Sequence, residues 1–294
     1  MKMGDEYNIA GLGELLWDLF PEKQRPGGAP ANVAYHASQW GANGMVLSRV
    51  GDDELGTKLV SYLKNKDLET NYIQQDKGHH TGAVKVEFEE AEPVYTIIEG
   101  VAWDHLEYSE GWNRAAQSLD AICFGTLAQR SEQSRSTIYK LLDSLPETLK
   151  VLDVNLREPF YNREILLESV KRCDVIKLNM HEYALLGELF DQTDLPKWLF
   201  TKMNVEMICL TKGAAGSELI TPNNHIREEP ARVDPSTGDA VGVGDAFTAT
   251  LIYNLLKKES LQKTLERANA YAGLIVTKKG GMPELPSSIL SELT

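Results

Sequence analysis

Short apolar runs at residues 121–125, 150–154 and 174–178 alternate with amphipathic stretches at 132–144 and 163–172. Strands separated by a whole helix cannot be joined by a hairpin. They run parallel, and runs with no polar face are buried on both sides. The chain is thereby confined to an α/β fold whose central, mostly parallel sheet carries helices on both faces. Residues 7–13, 44–50 and 205–210 extend the strand pattern, and residues 30–41, 53–66 and 261–278 extend the helical one. Two stretches break it. Residues 84–88 and 94–98 read as an antiparallel pair joined by an acidic turn at 89–93, and residues 14–20 read as a further exposed strand. A hairpin inserted into an α/β chain is more naturally a lid than part of the main sheet. One domain over residues 1–294 is expected, with a small β lid made of segments at about 16–26 and 83–100.

Of the 294 residues, 42% are hydrophobic and 25% charged, ordinary globular usage that supports a sizeable core. The net charge of −13 makes the surface repel nucleic acid and anionic membrane, so a phosphate ligand needs local donors or a divalent ion. Cys123, Cys173 and Cys209 are odd in number and sit in or beside apolar runs, which reads as reduced core thiols of a cytoplasmic protein. Asp5 and Glu6 near the start, with no extended apolar segment, argue against a signal peptide, and no stretch reaches the length of a membrane span.

The chemistry centres on residues 239–247, Asp-Ala-Val-Gly-Val-Gly-Asp-Ala-Phe, which lead into an apolar run through Leu256 that reads as a buried helix. Backbone N–H groups at a helix start have no internal partner and stabilise an anion. Gly242 and Gly244 leave no Cβ between such donors and a ligand. Asp245 stands at the same place. It is either a helix cap, or a general base taking a proton from an attacking hydroxyl while the N–H groups around Gly242, Val243 and Gly244 hold the transferred phosphoryl oxygens. The chain has no Gly-x-x-x-x-Gly-Lys-Ser/Thr loop, and the two Gly-x-Gly runs, at Gly11 and Gly242, lack the third glycine of a dinucleotide fingerprint.

Other polar residues gather at predicted strand ends. Asp18 lies beyond the first strand; Gly28 and Asn32 open a helix, where an amide that both donates and accepts suits sugar hydroxyls, or serve as an ordinary turn and a solvated residue. Asp153, Asn155 and Arg157 alternate. Asn179 and Glu182 lie one helical turn apart, able to reach one ion or its water shell; both groups read equally as caps and surface ion pairs. Thr211, Lys212, Gly213 and Gly216 form a glycine turn that suits a nucleotide phosphate. Tyr95 and Trp103, on and beside the lid hairpin, are candidate apolar walls for a sugar. His79 and His80 lack metal-site spacing to further ligands and read as loop residues.

In order, Gly-Gly-Ala-Pro-Ala-Asn at 27–32, Asn-x-x-Glu at 179–182, Thr-x-Gly-x-x-Gly at 211–216 and Gly-x-Gly-Asp-x-Phe at 242–247 resemble the ribokinase-like (PfkB-type) carbohydrate kinases over essentially the whole chain, most closely the fructokinase branch. The resemblance implies a three-layer ribokinase-like sandwich and ATP-dependent phosphorylation of a sugar hydroxyl, fructose first. It casts Asp245 as base and the amides of Gly242, Val243 and Gly244 as anion hole. Asp18, Gly28 and Asn32 hold the sugar, with Arg157 near the sugar or the transferred phosphate. Asn179 and Glu182 organise hydrated Mg2+. Thr211, Gly213, Gly216 and Asn269 line the nucleotide site, and Asp239 with Gly280 and Gly281 resembles a loop for a monovalent cation such as K+. Ala29-Pro30 departs from the usual Lys-Gly of ribokinases and argues against ribose, and Ala240-Val241 replaces residues that are commonly Thr, which weakens the cation expectation. A kinase for a sugar acid such as 2-keto-3-deoxygluconate or for a nucleoside, and a silent sugar-binding regulator on the same scaffold, are the alternatives. The exposed edge of the lid sheet offers a route to a homodimer.

Overall fold

The computed structural model describes residues 7–89, 92–286 and 290, with backbone alone described at 88–89, 92–94 and 237. Asp5 and Glu6, and the middle of the acidic turn at Glu90 and Ala91, lie outside the described residues. The first half of the chain comprises β1 (Asn8–Leu12), β2 (Leu16–Leu19), β3 (Gln24–Gly27), α1 (Ala29–Gln39), β4 (Asn43–Gly51), α2 (Glu54–Lys64), β5 (Ile73–Asp76), β6 (Gly82–Glu89), β7 (Glu92–Ile97), α3 (Glu110–Ala116) and β8 (Ala121–Phe124). There follow α4 (Glu132–Asp143), β9 (Leu149–Asp153), α5 (Arg163–Val170), β10 (Val175–Asn179), α6 (Met180–Leu189), α7 (Leu195–Lys202), β11 (Met207–Thr211), β12 (Ser217–Ile220), β13 (His225–Glu228), α8 (Val243–Leu256) and α9 (Leu261–Ile275).

Among the described residues, nine strands form the main sheet in the order β13-β12-β11-β10-β9-β8-β1-β4-β5. From β11 to β5 every pairing is parallel, and β12 and β13 add on antiparallel. Successive residues of a strand point to opposite faces, and both faces here are dry. Ile9, Cys123, Val151, Val175 and Cys209 pack against α1, α8 and α9 through Val33, Phe247, Leu251 and Leu265. Their neighbours Ala10, Ile122, Leu152, Ile176 and Ile208 pack on the other side against Trp112, Ile138, Leu166, Leu186 and Leu199 of α3 to α7. The result is the expected three-layer sandwich. All three cysteines are buried and free. No helix among the described residues is long and apolar enough to cross a membrane.

The second sheet, ordered β3-β2-β6-β7, holds both of the expected lid segments and covers a small core of Leu16, Val84 and Val86. β2 runs antiparallel to β3 and parallel to β6, with Leu16 opposite Gly82, a partner from the other end of the α1–β5 segment. β3 carries Pro26, which an edge strand tolerates because its missing N–H faces no partner.

The start of α1 lies directly on the main sheet. A Cβ added at Gly11 of β1 would lie 1.9 Å from the backbone carbonyl oxygen of Pro30. Backbone on backbone leaves no rotamer to relieve such a contact, so Gly11→Ala must push α1, and Asn32 with it, away from β1. Gly11→Ala is expected to lower stability by about 1–3 kcal/mol, the usual range for overpacking. Chemical denaturation measures this, and a stability equal to wild type contradicts the seating of α1 on β1.

Candidate active site

The parallel strands end together, and the polar residues that the sequence places at strand ends collect along that edge: Glu14 after β1, Asp153 at the end of β9, Asn179 at the end of β10 and Thr211 at the end of β11. Asn179 and Thr211 stand opposite each other in register. Open α/β sheets bind ligands beyond this edge.

α8 begins there. Gly242 caps it in a left-handed conformation (φ 76°), where a Cβ would lie 2.7 Å from Gly281. The first internal hydrogen bond of the helix runs from the N–H of Ala246 to the carbonyl of Gly242 at 2.8 Å. The N–H groups of residues 243–245 therefore precede the helical ladder; that of Val243 reaches the carbonyl of Ala240 at a long 3.5 Å. Gly244 lies over Lys177, whose Nζ is 3.2 Å from where a Cβ would stand. A glycine is needed for that ammonium to approach the helix start.

Asp245 is partly exposed at this first turn, and its Oδ2 accepts a hydrogen bond of 2.7 Å from Nδ2 of Asn32. The contact spans 213 residues and joins the openings of α1 and α8. Burial pushes the Asp245 carboxyl up to about 6 and the charge of Asp153 adds to this, while the Asn32 bond and the cations Lys177 and Arg157 hold it down. Asn32 is itself buried, with Oδ1 unpartnered and close beneath Gly281. Gly28, at φ 117°, caps α1, and a Cβ there would strike the carbonyl oxygen of Glu14 at 2.5 Å.

On the small sheet, Asp18 pairs in register with Arg25. Burial raises its carboxyl, against the pull of Arg25 and Arg157. Arg157 is exposed, donates through Nη1 to the adjacent Leu156 carbonyl, and its charge holds down the carboxyls of Glu14, Asp18 and Asp245 alike. Asn32 and Asp245 are thus in direct contact, and Arg157 lies within electrostatic reach of both Asp18 and Asp245.

A cavity of about 440 Å³ adjoins the other side of the helix start. Thr211, Gly213, Gly216 and Asn269 line it together with Val243 and Gly244, so the glycine turn and the last helix meet the first turn of α8. Asn269 donates from Nδ2 to Ser217 Oγ and to the Leu265 carbonyl. Its apolar wall, Pro230, Ala231, Val233 and Val276, had no motif to reveal it. Lys212 turns away from this cavity and pairs with Glu218, a correction to its expected place at a phosphate.

Trp103 is not the apolar wall expected for a sugar. It is fully buried beneath Gly82 at the root of the small sheet, with the Arg130 guanidinium 3.9 Å from its ring centroid. A large aromatic at the junction of two sheets is taken into the packing between them. Tyr95, by contrast, is 60% exposed on β7. Glu182 and Asn179 form a reciprocal cap: Asn179 Oδ1 accepts the N–H of Glu182 at 2.9 Å and Glu182 Oε2 accepts that of Asn179 at 2.8 Å. Glu182 Oε1 accepts the N–H of Leu156, so each carboxylate oxygen holds one backbone donor and keeps a further acceptor site. Among the described residues no three His, Cys, Asp or Glu side chains gather in a metal-binding group. His80 is exposed and His79 is bonded to Asp76, as loop residues would be.

Lys177, Thr248 and Glu14 were not singled out from the sequence, and Asp153 was only as one of three alternating polar residues. Asp153 and Lys177 sit opposite each other in register, buried, with Nζ 2.8 and 3.0 Å from the two carboxylate oxygens. The Thr248 hydroxyl lies 2.8 Å from Asp153 Oδ2 and 2.9 Å from the Gly244 carbonyl, tying this ion pair to the first turn of α8. One opposite charge within each of two apolar strands was the available signal, since buried charges are paired. Glu14, buried with Oε2 unpartnered, has its carboxyl pushed by burial up to about 7 and lines a small cavity with Asp153 and Asn155.

Residues 8–288 match the pfkB family carbohydrate kinase model. The fructokinase of Escherichia coli is 28% identical, with 94% of this chain and 95% of that protein covered. A sugar kinase of Pyrococcus horikoshii, PH1459, solved in complex with ATP, is 28% identical and superposes with a TM-score of 0.85 over 97% of each chain. A double mutant of the Vibrio cholerae O395 fructokinase, solved with fructose, ADP and a potassium ion, shares the fold at 24% identity, with a TM-score of 0.80 over 99% of this chain and 100% of that one. With the family model spanning nearly all of the sequence and the same motifs meeting at one sheet edge, the chain belongs to the pfkB family of carbohydrate kinases.

Proposed function

We propose that this sugar kinase transfers the terminal phosphoryl group of ATP to a hydroxyl of fructose, giving fructose 6-phosphate, with Asp245 as general base. The observation that carries the reading is the Asn32–Asp245 hydrogen bond at the opening of α8. It holds a carboxylate of intermediate acidity beside a cavity lined by the nucleotide motif. Fructokinase relatives and the departure from the ribokinase signature at Ala29-Pro30 support fructose.

A sugar alcohol is a very poor acid, and water competes with it for the phosphoryl group, so the enzyme must align the pair and exclude solvent. In this reading Asp18, Gly28 and Asn32 hold the sugar so that one hydroxyl faces Asp245, and Tyr95 moves toward the sugar as the small sheet closes. Asp245 takes the hydroxyl proton as the oxygen attacks. The N–H groups at residues 242–244 accept the charge spread over the phosphoryl oxygens, with the positive end of the helix behind them. ATP brings a divalent ion on its phosphates, and Asn179 and Glu182 are assigned to its water shell. Thr211, Gly213, Gly216 and Asn269 receive the nucleotide. Arg157 neutralises charge on the phosphoryl group; it could instead meet the carboxylate of a sugar acid, and its exposed guanidinium favours that as the second reading.

Lys177 completes the electrostatics. Burial disfavours its charge, yet Asp153, with smaller help from Asp245 and Glu182, raises its pKa and keeps it an ammonium. Asp153, Lys177 and Asp245 then carry one net negative charge between them, and the proton affinity of Asp245 depends on that balance.

Five outcomes test the reading. Asp245→Asn should keep ATP and sugar binding by calorimetry while kcat falls by about 10²–10⁴-fold; turnover within a few-fold of wild type removes Asp245 from the chemistry. For the free enzyme, kcat/KM should fall as pH drops below about 6, as one proton returns to Asp245. Lys177→Met should move that limb to higher pH, and adding Asp153→Asn should move it back; a limb that ignores both changes refutes the charge balance. The folded state holds the Asp245 proton more tightly than the unfolded chain. Its contribution to stability is therefore full below about 3.8 and lost as pH rises through about 6. Asp245→Asn should accordingly melt higher than wild type at pH 8 and no higher at pH 4. A panel of sugars and sugar acids ranked by kcat/KM decides the acceptor, and a rank led by 2-keto-3-deoxygluconate selects the second reading.

A further inference from the structure

In the loop that resembles a monovalent-cation site, the one acidic side chain, Asp239, is already paired with a cation of the chain itself and held by backbone donors. Asp239 Oδ1 receives the N–H groups of Val241 and Gly280 at 3.2 Å each, and Oδ2 receives Gly280 at 3.2 Å and the Arg25 guanidinium, through Nη1, at 2.9 Å. Three donors thus hold the carboxylate, the single Gly280 N–H being shared between its two oxygens, and the one full positive charge among them is that of Arg25. The neighbours Ala240 and Val241 bring no side-chain oxygen where the family commonly has threonines. A positive charge is already present, supplied from β3 of the small sheet, 214 residues away in sequence.

The contacts continue from this ion pair to the base. Asp239 holds Gly280; Gly281 is so close to Asn32 that a Cβ would lie 2.6 Å from its Oδ1, and Gly242 is packed on Gly281 in the same way; Asn32 then donates to Asp245. Arg25 also lies opposite Asp18 in the strand pairing and 5.5 Å from the centroid of the Phe20 ring, so it is fixed to the small sheet at its other end. The pair is only about a quarter exposed on either side, at 28% and 27%, which limits screening by solvent.

We propose that Arg25 is a tethered replacement for the monovalent cation: it neutralises Asp239, sets the two loops under the anion hole, and couples their geometry to the position of the small sheet, so that this kinase neither binds nor needs potassium. The inference rests on the sugar kinase reading for its kinetic arm alone. Melting temperature is measured in about 100 mM potassium chloride and in tetramethylammonium chloride of equal ionic strength, alongside kcat and the KM for ATP. Wild type is expected to show the same melting temperature and rates within about twofold in both salts. Arg25→Ala is expected to lose at least about tenfold in kcat, with Arg25→Lys retaining most of it, because the charge rather than the packing is required. A potassium-specific rise in the melting temperature or rate of wild type, or an Arg25→Ala enzyme as fast as wild type in tetramethylammonium, overturns the proposal. Absence of any sugar phosphorylation by wild type overturns the functional reading instead, and leaves the thermal comparison to decide the cation question on its own.

Discussion

Two carboxylates and the positive end of a helix occupy one small volume at the edge of the main sheet, and the buried ammonium of Lys177 makes that arrangement tenable. Burial and the charge of Asp153 raise the proton affinity of Asp245, and Lys177, together with Asn32 and Arg157, holds it down. On that balance the carboxyl of Asp245 rests near 6, below physiological pH yet well above an ordinary aspartate. The same ion pair, through Thr248, anchors the first turn of α8. Charge balance and helix placement are therefore one feature, and the interior of a parallel sheet is where it can be built, since register alone sets Lys177 beside Asp153.

The rest of the molecule serves to bring distant pieces to that spot. α1 sits on β1 because Gly11 has no side chain, and this puts Asn32 within reach of Asp245. Gly242 before α8 and Gly281 after α9 pack backbone to backbone, which joins the loop after α9 to the start of α8. From the small sheet come Asp18, and Arg25 with its bond to Asp239. Each of these contacts crosses much of the sequence, so the site exists only in the complete fold.

Much of this was legible in advance. Strand and helix alternation is a local property, visible in apolar runs and their spacing, and it yielded the sheet and its two helical layers. β3 was folded into a lid segment without being seen as a strand, because Gln24–Gly27 contains a proline and no alternation, and β13 escaped because His225–Glu228 is an exposed edge. Asn32, Asp18 and the residues of the glycine turn could be singled out because glycine and a lone polar residue at a strand end stand out from apolar surroundings. Trp103 misled for the opposite reason. An aromatic near a hairpin looks the same in sequence whether it faces a ligand or fills the joint beneath, and here it fills the joint. Asn179 and Glu182 satisfied two readings at once, and the folded chain shows the cap in full.

From its sequence alone, the chain determined its class, a parallel sheet wrapped by helices, its membership in a family of sugar kinases, and the positions where backbone N–H groups could be left bare. The class and the bare N–H groups follow from periodicity and from the conformational freedom of glycine, and the family from the resemblance of four short motifs, each carried by a few neighbouring residues. Tertiary structure decided which charges meet: Lys177 with Asp153, Asn32 with Asp245, and Arg25 with Asp239. Such pairings depend on strand register and on the crossing of elements far apart along the chain, and a Coulomb interaction is felt only over the few ångströms that folding creates.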